Sequence, residues 1–177
     1  MQEPEVSLRV AFYYIKNGLT QDDVRVCLDG AHIKTGDTVH FDISEFLALQ
    51  NCRKISGLTN SWQGTYEIDG YTPKINISAK SGIGDVNIVL TDGKHLYIES
   101  KKGKEKNRSN SEYPLMREAI GQLMTGCQLN ENVIPVVAVP YSEKSYELAS
   151  RWSQLQQIRM VGIKFLLVRV DGSVEMV

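Results

Sequence analysis

Cysteine and histidine are scarce in this chain, and neither residue type is clustered. The three cysteines lie far apart without a Cys-x-x-Cys spacing, and the three histidines are equally scattered. This pattern argues against a structural zinc site and against a disulfide framework. The thiols are therefore expected to be reduced, as in a cytoplasmic protein.

An excess of one charge is also missing, and so is any long apolar run. The 20 basic and 21 acidic side chains give a net charge of −1, whereas domains that coat nucleic acid are usually basic. No apolar stretch is long enough to cross a bilayer, and the polar beginning carries no secretory signal. We expect a single domain over residues 1–177, located in the cytoplasm and without a membrane partner.

Two alternating runs in the middle of the chain predict a β-hairpin. The runs extend from Asp85 to Leu90 and from Lys94 to Lys101, and Thr91-Asp92-Gly93 separates them. Asp-Gly between alternating runs is a strong hairpin signal. A three-residue loop would place Gly93 in the left-handed conformation, which glycine adopts without a steric penalty.

The hydrophobic pattern chooses between two registers of this hairpin. A two-residue turn would set Val86 against Glu99 and mix apolar with polar side chains on both faces. A three-residue loop pairs Val86 with Ile98 and Ile88 with Leu96, so that one face is nearly all apolar. Because a slip of one residue turns every side chain to the other face, burial favours the three-residue loop.

This register brings two acidic side chains together on the polar face. Asp85 lies opposite Glu99, and Lys101 follows one pleat further on. Opposed carboxylates repel unless a cation lies between them, and Mg²⁺ is held by one or two carboxylates. Asp85, Glu99 and the Ser100 carbonyl suit such an ion, and Lys101 suits activation of water or stabilisation of developing charge. An ion-pair network of Asp85, Lys101 and Glu99 without chemistry is the alternative.

These residues resemble the PD-(D/E)xK, or restriction-endonuclease-like, nuclease superfamily. In that family an Asp opens one strand of a hairpin and (D/E)-x-K closes the other, as Asp85 and Glu99-Ser100-Lys101 do here. Gly84 replaces the signature proline. The resemblance implies a Mg²⁺-dependent endonuclease, with Mn²⁺ as a substitute, that hydrolyses phosphodiester bonds of DNA in restriction, repair, junction resolution or transposition.

Helices on either side of the hairpin add supporting candidates. Residues Ser111 to Cys127 have apolar side chains at helical spacing. Within this segment, Gln122 resembles the glutamine that approaches the metal site in several branches of the family. Family members also often have an acid on their first helix, and here Glu5 is the natural candidate, with Glu3 behind it.

A basic segment between the hairpin and the following helix is a candidate for binding phosphate groups of nucleic acid. No apolar residue anchors it, so a mobile loop with salt-dependent affinity for nucleic acid is expected. The alternative is an ordinary solvated charge run. The candidate nucleic-acid-binding residues are Lys102, Lys104, Lys106 and Arg108.

The remaining segments predict an α/β fold in which helices flank a central mixed sheet. We expect the αβββαβαβ order of a restriction-endonuclease-like core. The predicted scaffold comprises strands at Val24 to Leu28, His40 to Ile43, Gly64 to Asp69, Lys74 to Ala79, Val133 to Val139 and Gly162 to Val170, helices at Ser44 to Asn51 and Ser142 to Gln157, and a short terminal strand.

Two other functions are compatible with the sequence. A nucleic-acid-binding or assembly module of the same fold would lack catalysis, and an RNase or toxin domain would cut RNA instead of DNA. A homodimer is expected if both strands of a duplex are cut.

Overall fold

The computed structural model describes residues 1–80, 82–103 and 112–177. These residues form an α/β structure in which helices flank a large mixed sheet. The helices are α1 (Glu3–Lys16), α2 (Ile43–Leu49), α3 (Glu112–Gly126), α4 (Glu143–Trp152) and α5 (Gln156–Val161). The strands are β1 (Val24–Cys27), β2 (Lys34–Thr35), β3 (Thr38–Val39), β4 (Cys52–Ser56), β5 (Gly64–Ile68), β6 (Ile75–Ser78), β7 (Val86–Val89), β8 (His95–Ser100), β9 (Val133–Pro140), β10 (Lys164–Val168) and β11 (Val174–Met176).

Nine of the described strands form one sheet in the order β11-β10-β9-β8-β7-β1-β6-β5-β4. The pairs β1–β6, β8–β9 and β9–β10 are parallel, and the other neighbours are antiparallel. Strands β2 and β3 form a separate hairpin. No helix in the described ranges is both long and apolar enough to cross a membrane.

The two faces of the large sheet are covered differently. One face packs on α1 and contributes most of the larger hydrophobic core. On the other face, α3 and α4 cover β8 to β10 and enclose a second core. In β4, β5, β6, β1 and β7, by contrast, the side chains on this second face, apart from the buried Cys27, are half-buried or exposed. We call this uncovered part the open face.

The predicted hairpin register is confirmed. Val86 pairs with Ile98 and Ile88 with Leu96, and all four side chains are at most 1% exposed. Burying each of these side chains contributes roughly 1.5–3 kcal/mol, which far exceeds the preference for one turn type. Gly93 has φ +84°, and its N–H donates to the carbonyl of Leu90 at 2.8 Å.

Other sequence predictions need correction. The expected strand from His40 to Ile43 is wrong, because β3 ends at Val39 and Asp42 caps α2 by accepting from the N–H of Glu45 at 2.9 Å. The edge strand β4 was not predicted. The helix expected from Ser142 to Gln157 is divided into α4 and α5.

Candidate active site

The carboxyl groups of Asp85 and Glu99 lie together at one end of the β7–β8 hairpin. The N–H of Asp85 donates to the Ile98 carbonyl at 2.8 Å, which extends the ladder one residue before β7. Oδ2 of Asp85 accepts from the N–H of Ser100 at 2.8 Å, and the side chains of Asp85 and Glu99 line the same cleft. Two like-charged groups thus meet across neighbouring strands.

Burial and mutual repulsion make this pair retain a proton. Burial, and then the charge of Glu99, raise the pKa of Asp85 to about 8, against the opposing effects of the Ser100 N–H and of Lys101. Burial also raises the pKa of Glu99. At neutral pH the metal-free pair therefore holds a proton, since a shared proton removes the repulsion between the carboxylates.

Gly84 allows the chain to approach the partner strand closely before Asp85. Its φ is +69°, and a Cβ there would lie 2.9 Å from the carbonyl oxygen and 3.1 Å from the nitrogen of Ile98. Proline requires φ near −65° and adds a ring at the same place. A proline before Asp85 is therefore incompatible with this backbone, whereas glycine adopts it.

Lys101 is buried and pairs with a residue that the sequence did not single out. Its side chain is 6% exposed, and Nζ lies 3.1 Å from Oε1 of Glu118 on α3. Burial opposes the charged form, but the combined effect of Glu3, Glu118 and Asp85 raises the pKa of Lys101. The lysine therefore stays protonated beside the carboxyl pair, and its direct ion-pair partner is Glu118.

The first helix contributes Glu3 to the site. Glu3 and Asp85 line the same small cavity, and Oε1 of Glu3 lies 3.2 Å from Nδ1 of His32. Glu5, the candidate favoured by the sequence, instead pairs with Arg9 at 2.9 Å, one turn along α1. Of the two glutamates, Glu3 is the better placed for a supporting role.

Gln122 is brought to the carboxyl pair as the sequence suggested. It is exposed on α3, four residues after Glu118, and it lines a cleft of about 370 Å³ together with both acids. The cleft is open to a ligand and mostly polar. Its lining residues are Cys27, Leu28, Asp29, Ala79, Gly82, Gly84, Asp85, Glu99 and Gln122.

Ser100 contributes backbone rather than side chain to this arrangement. Its N–H binds Asp85, whereas its side chain points to the opposite face of the sheet and is fully buried. Its Oγ has no hydrogen-bond partner among the residues that the structure describes. The predicted role of the Ser100 carbonyl as a ligand stays a prediction.

Most of the basic segment lies outside the residues that the structure describes. Lys102 is exposed immediately after the buried Lys101, so it is accessible to a ligand near the site. Lys104, Lys106, Arg108 and Ser111 lie outside the described residues. The phosphate-binding role of this segment stays a prediction.

The donor set fits a hard divalent cation that keeps most of its water. Asp85 and Glu99 offer carboxylate oxygens at an open cleft, and Mg²⁺ usually takes one or two carboxylates from the protein. Within the described ranges, no group of three or more His, Cys, Asp and Glu side chains is arranged to hold a metal. An ion here would thus be held by the pair and completed by water and substrate oxygens.

Comparison of the chain with protein-family models, with curated proteins and with solved structures gave no match. The geometry identifies three contributors that sequence reasoning missed or ranked too low: Glu118, His32 and Glu3. Glu118 lies one helical turn before Gln122, so helical spacing alone would have placed both side chains on the same face of α3. His32 and Glu3 meet only through the tertiary fold.

Proposed function

We propose that this chain is a metal-dependent nuclease with a restriction-endonuclease-like core, which hydrolyses phosphodiester bonds of nucleic acid, with DNA as the expected substrate. The observation that carries the proposal is the Asp85–Glu99 pair, which lies across adjacent strands at the floor of an open cleft. Helix α1, the β7–β8 hairpin and α3 follow in the order expected of that core.

A Mg²⁺ ion bound here would polarise the phosphodiester and supply a water of lowered pKa. Asp85 and Glu99 would hold the ion and offset its charge. Lys101 keeps a protonated amine beside the pair, where it would stabilise negative charge that develops on the phosphate. Gln122, on the wall of the cleft, would orient a water or a phosphate oxygen.

A substrate panel tests this proposal. Labelled single-stranded and duplex DNA and RNA are incubated with wild type and with Glu99→Gln, in Mg²⁺, in Mn²⁺ and in EDTA. We expect wild type to cut DNA only when metal is present, because the ion supplies most of the charge stabilisation. Glu99→Gln should reduce the rate by about 10³-fold or more.

Glu67→Gln is the matched control. Glu67 lies on the same sheet face as Glu99 and is also an acid opposite a neighbouring strand, but it pairs with Arg53 far from the cleft. Its substitution should leave cleavage within about twofold of wild type. Activity that persists in EDTA or in Glu99→Gln would refute the proposed chemistry, and cleavage of RNA alone would support the RNase alternative.

A binding or assembly module without catalysis is the second candidate. Two features favour it: Lys101 already has a carboxylate partner in Glu118, and the raised pKa of Asp85 lets a proton relieve the repulsion within the pair without metal. This candidate predicts nucleic-acid binding that is unchanged in Asp85→Ala and in Lys101→Ala. It also predicts no cleavage with either metal.

A further inference from the structure

The open face lies directly beside the candidate site and is polar where it adjoins the site. Arg25 on β1 pairs in register with Asn76 on β6 and with Asn87 on β7. The neighbours of Arg25 along its strand, Val24 and Val26, are fully buried on the opposite face, whereas Arg25 itself is exposed. Arg25, Asn76 and Asn87 thus form a row across three strands that none of the described helices covers; we call it the polar row.

The polar row runs parallel to the line of residues that holds the carboxyl pair. Cys27 follows Arg25 by two residues, and its N–H donates to the carbonyl of Asp85 at 2.7 Å. Since side chains two residues apart on a strand share a face and are roughly 6.8 Å apart, the polar row lies one pleat from Asp85 and Glu99. A strand of nucleic acid with one phosphate at the carboxyl pair would cross the polar row with an adjacent nucleotide.

The polar row presents unused hydrogen-bond donors. The guanidinium of Arg25 forms no hydrogen bond or ion pair with the described residues. The amide oxygen of Asn76 accepts from the hydroxyl of Thr65 at 2.8 Å, which leaves the amide nitrogen to donate. A guanidinium and an amide N–H₂ on adjacent strands are suited to an oxyanion, and arginine binds phosphate oxygens in a bidentate manner.

The positive charge of Arg25 can offset repulsion between the acidic site and a nucleic-acid backbone. The site itself is rich in carboxyl groups, with Glu3, Asp29 and Glu118 around the central pair, and these groups repel a phosphodiester backbone. A metal ion compensates at the scissile phosphate only. An uncommitted positive charge one pleat away would hold the next part of the backbone, where the ion does not reach.

We propose that the polar row binds the backbone of the nucleic-acid strand being cut, with the Arg25 guanidinium and the Asn76 amide donating to a phosphate next to the scissile one. This inference rests on the proposed nuclease function and assigns its substrate path to the open face of the sheet. Arg25 is a positioning residue, because it contacts substrate away from the reacting atoms. Asn87, whose amide nitrogen donates to the carbonyl of Ile83 at 2.7 Å, keeps the edge of the polar row fixed.

The test compares Arg25→Gln with Arg159→Gln. Both arginines are exposed, and neither forms an ion pair with described residues, but Arg159 lies on α5, away from the open face. Binding of a short fluorescein-labelled DNA duplex and of its single strand is measured in EDTA at several salt concentrations. Cleavage rates are then measured with Mg²⁺ as a function of DNA concentration.

Arg25→Gln should weaken binding and raise KM by about tenfold. The slope of log K against log salt concentration should become shallower by roughly 0.7–0.9, because one phosphate contact is lost. The kcat should change by less than about threefold. Asn76→Ala should raise KM by about threefold with little change in salt dependence, since it removes an uncharged donor. Arg159→Gln should match wild type in every measurement. A fall in kcat with KM unchanged in Arg25→Gln would instead indicate a structural role and overturn the assignment.

The outcomes separate this inference from the proposed function. If wild type cuts DNA but Arg25→Gln binds with unchanged KM and salt dependence, the polar row is refuted and the nuclease stands. If wild type cuts nothing but binds DNA, and Arg25→Gln loses that binding, the surface stands and the nuclease is refuted. If wild type binds neither form of DNA, the polar row is refuted as a DNA surface.

Discussion

Two cross-strand pairs on the same face of the large sheet differ in how their charges are satisfied. Arg53 on β4 faces Glu67 on β5, and Nε of the arginine donates to the carboxylate at 2.8 Å. Asp85 faces Glu99 across the β7–β8 hairpin, where burial raises the pKa of both carboxyl groups. The first pair joins opposite charges, whereas the second joins two groups of like charge whose repulsion is relieved by a retained proton.

The two pairs differ in their contribution to stability, and only the Asp85–Glu99 pair is destabilising. An exposed ion pair such as Arg53–Glu67 contributes about 0–1 kcal/mol, so this edge tolerates change. Opposed buried carboxyl groups destabilise the sheet unless a proton or a cation joins them. Unfavourable interactions of this kind are concentrated at functional sites, and for this reason the proposed function is assigned to the Asp85–Glu99 pair.

A large loss of catalysis should come from changing the lysine beside the acidic pair. Lys101→Met keeps the apolar stem but removes the charge that would stabilise the transition state. We expect kcat to fall by about 10²–10³-fold with metal affinity nearly unchanged. Steady-state cleavage and Mn²⁺ titration measure the two quantities.

Lys94→Met is the control for that lysine. Lys94 lies at the other end of the same hairpin, is half-exposed and pairs with Asp92 at 3.4 Å. Its loss should leave kcat within about twofold. Equal losses of activity in the two variants would show that the position of Lys101 beside the acids has no special importance.

The close approach that brings Asp85 to its partner strand can be tested at Gly84. Gly84→Ala should destabilise the fold by about 2–3 kcal/mol, because the added Cβ is strained at φ +69° and meets the Ile98 backbone. In Gly93→Ala the backbone is strained at φ +84°, but the added Cβ would point into open space. The free energy of unfolding should therefore fall by only about 1 kcal/mol. Urea denaturation of both variants checks the difference, and equal losses would contradict the close approach.

Removing one charge from each pair should shift stability in opposite directions. Asp85→Asn should stabilise the metal-free protein at pH 8 by on the order of 2 kcal/mol, because it removes a buried charge but keeps groups that can hydrogen-bond. Glu67→Gln should destabilise it by less than about 1 kcal/mol. Thermal denaturation in EDTA measures both changes.

The sign of the pH dependence follows from the raised pKa. The folded protein holds the Asp85 proton up to about pH 8, whereas the unfolded chain releases it near pH 4. Folding therefore binds a proton between these values, and stability falls as pH rises through that window. Asp85→Asn should flatten this decline, and an unchanged slope would contradict the raised pKa.

The hairpin could be predicted because one physical criterion decided it. Val86, Ile88, Leu96 and Ile98 can all be buried in only one register, and that register alone determines that Asp85 faces Glu99. Spacing on α3 predicted the helix and its buried face, whereas Gln122 was singled out only by its resemblance to a glutamine of the nuclease superfamily. Periodicity is informative wherever one face of an element is buried.

Other features depend on contacts between distant parts of the chain. Strand β4 lies at the edge of the sheet and is largely exposed. Its sequence therefore has no alternating hydrophobic pattern that would predict a strand. The parallel pairing of β1 with β6 and its antiparallel pairing with β7 create the polar row, and neither follows from local sequence. The choice of Glu3 over Glu5 depends on the rotation of α1 against the sheet.

Calorimetric titration of the metal-free protein with Mn²⁺ at pH 7, in buffers of different ionisation enthalpy, tests the central claim most directly. We predict one ion per chain and release of about one proton, since the pKa of Asp85 is about 8 before metal binds. Binding should be lost in Asp85→Asn and retained in Glu67→Gln. Absence of binding in wild type, or undiminished binding in Asp85→Asn, would contradict a metal site at the Asp85–Glu99 pair.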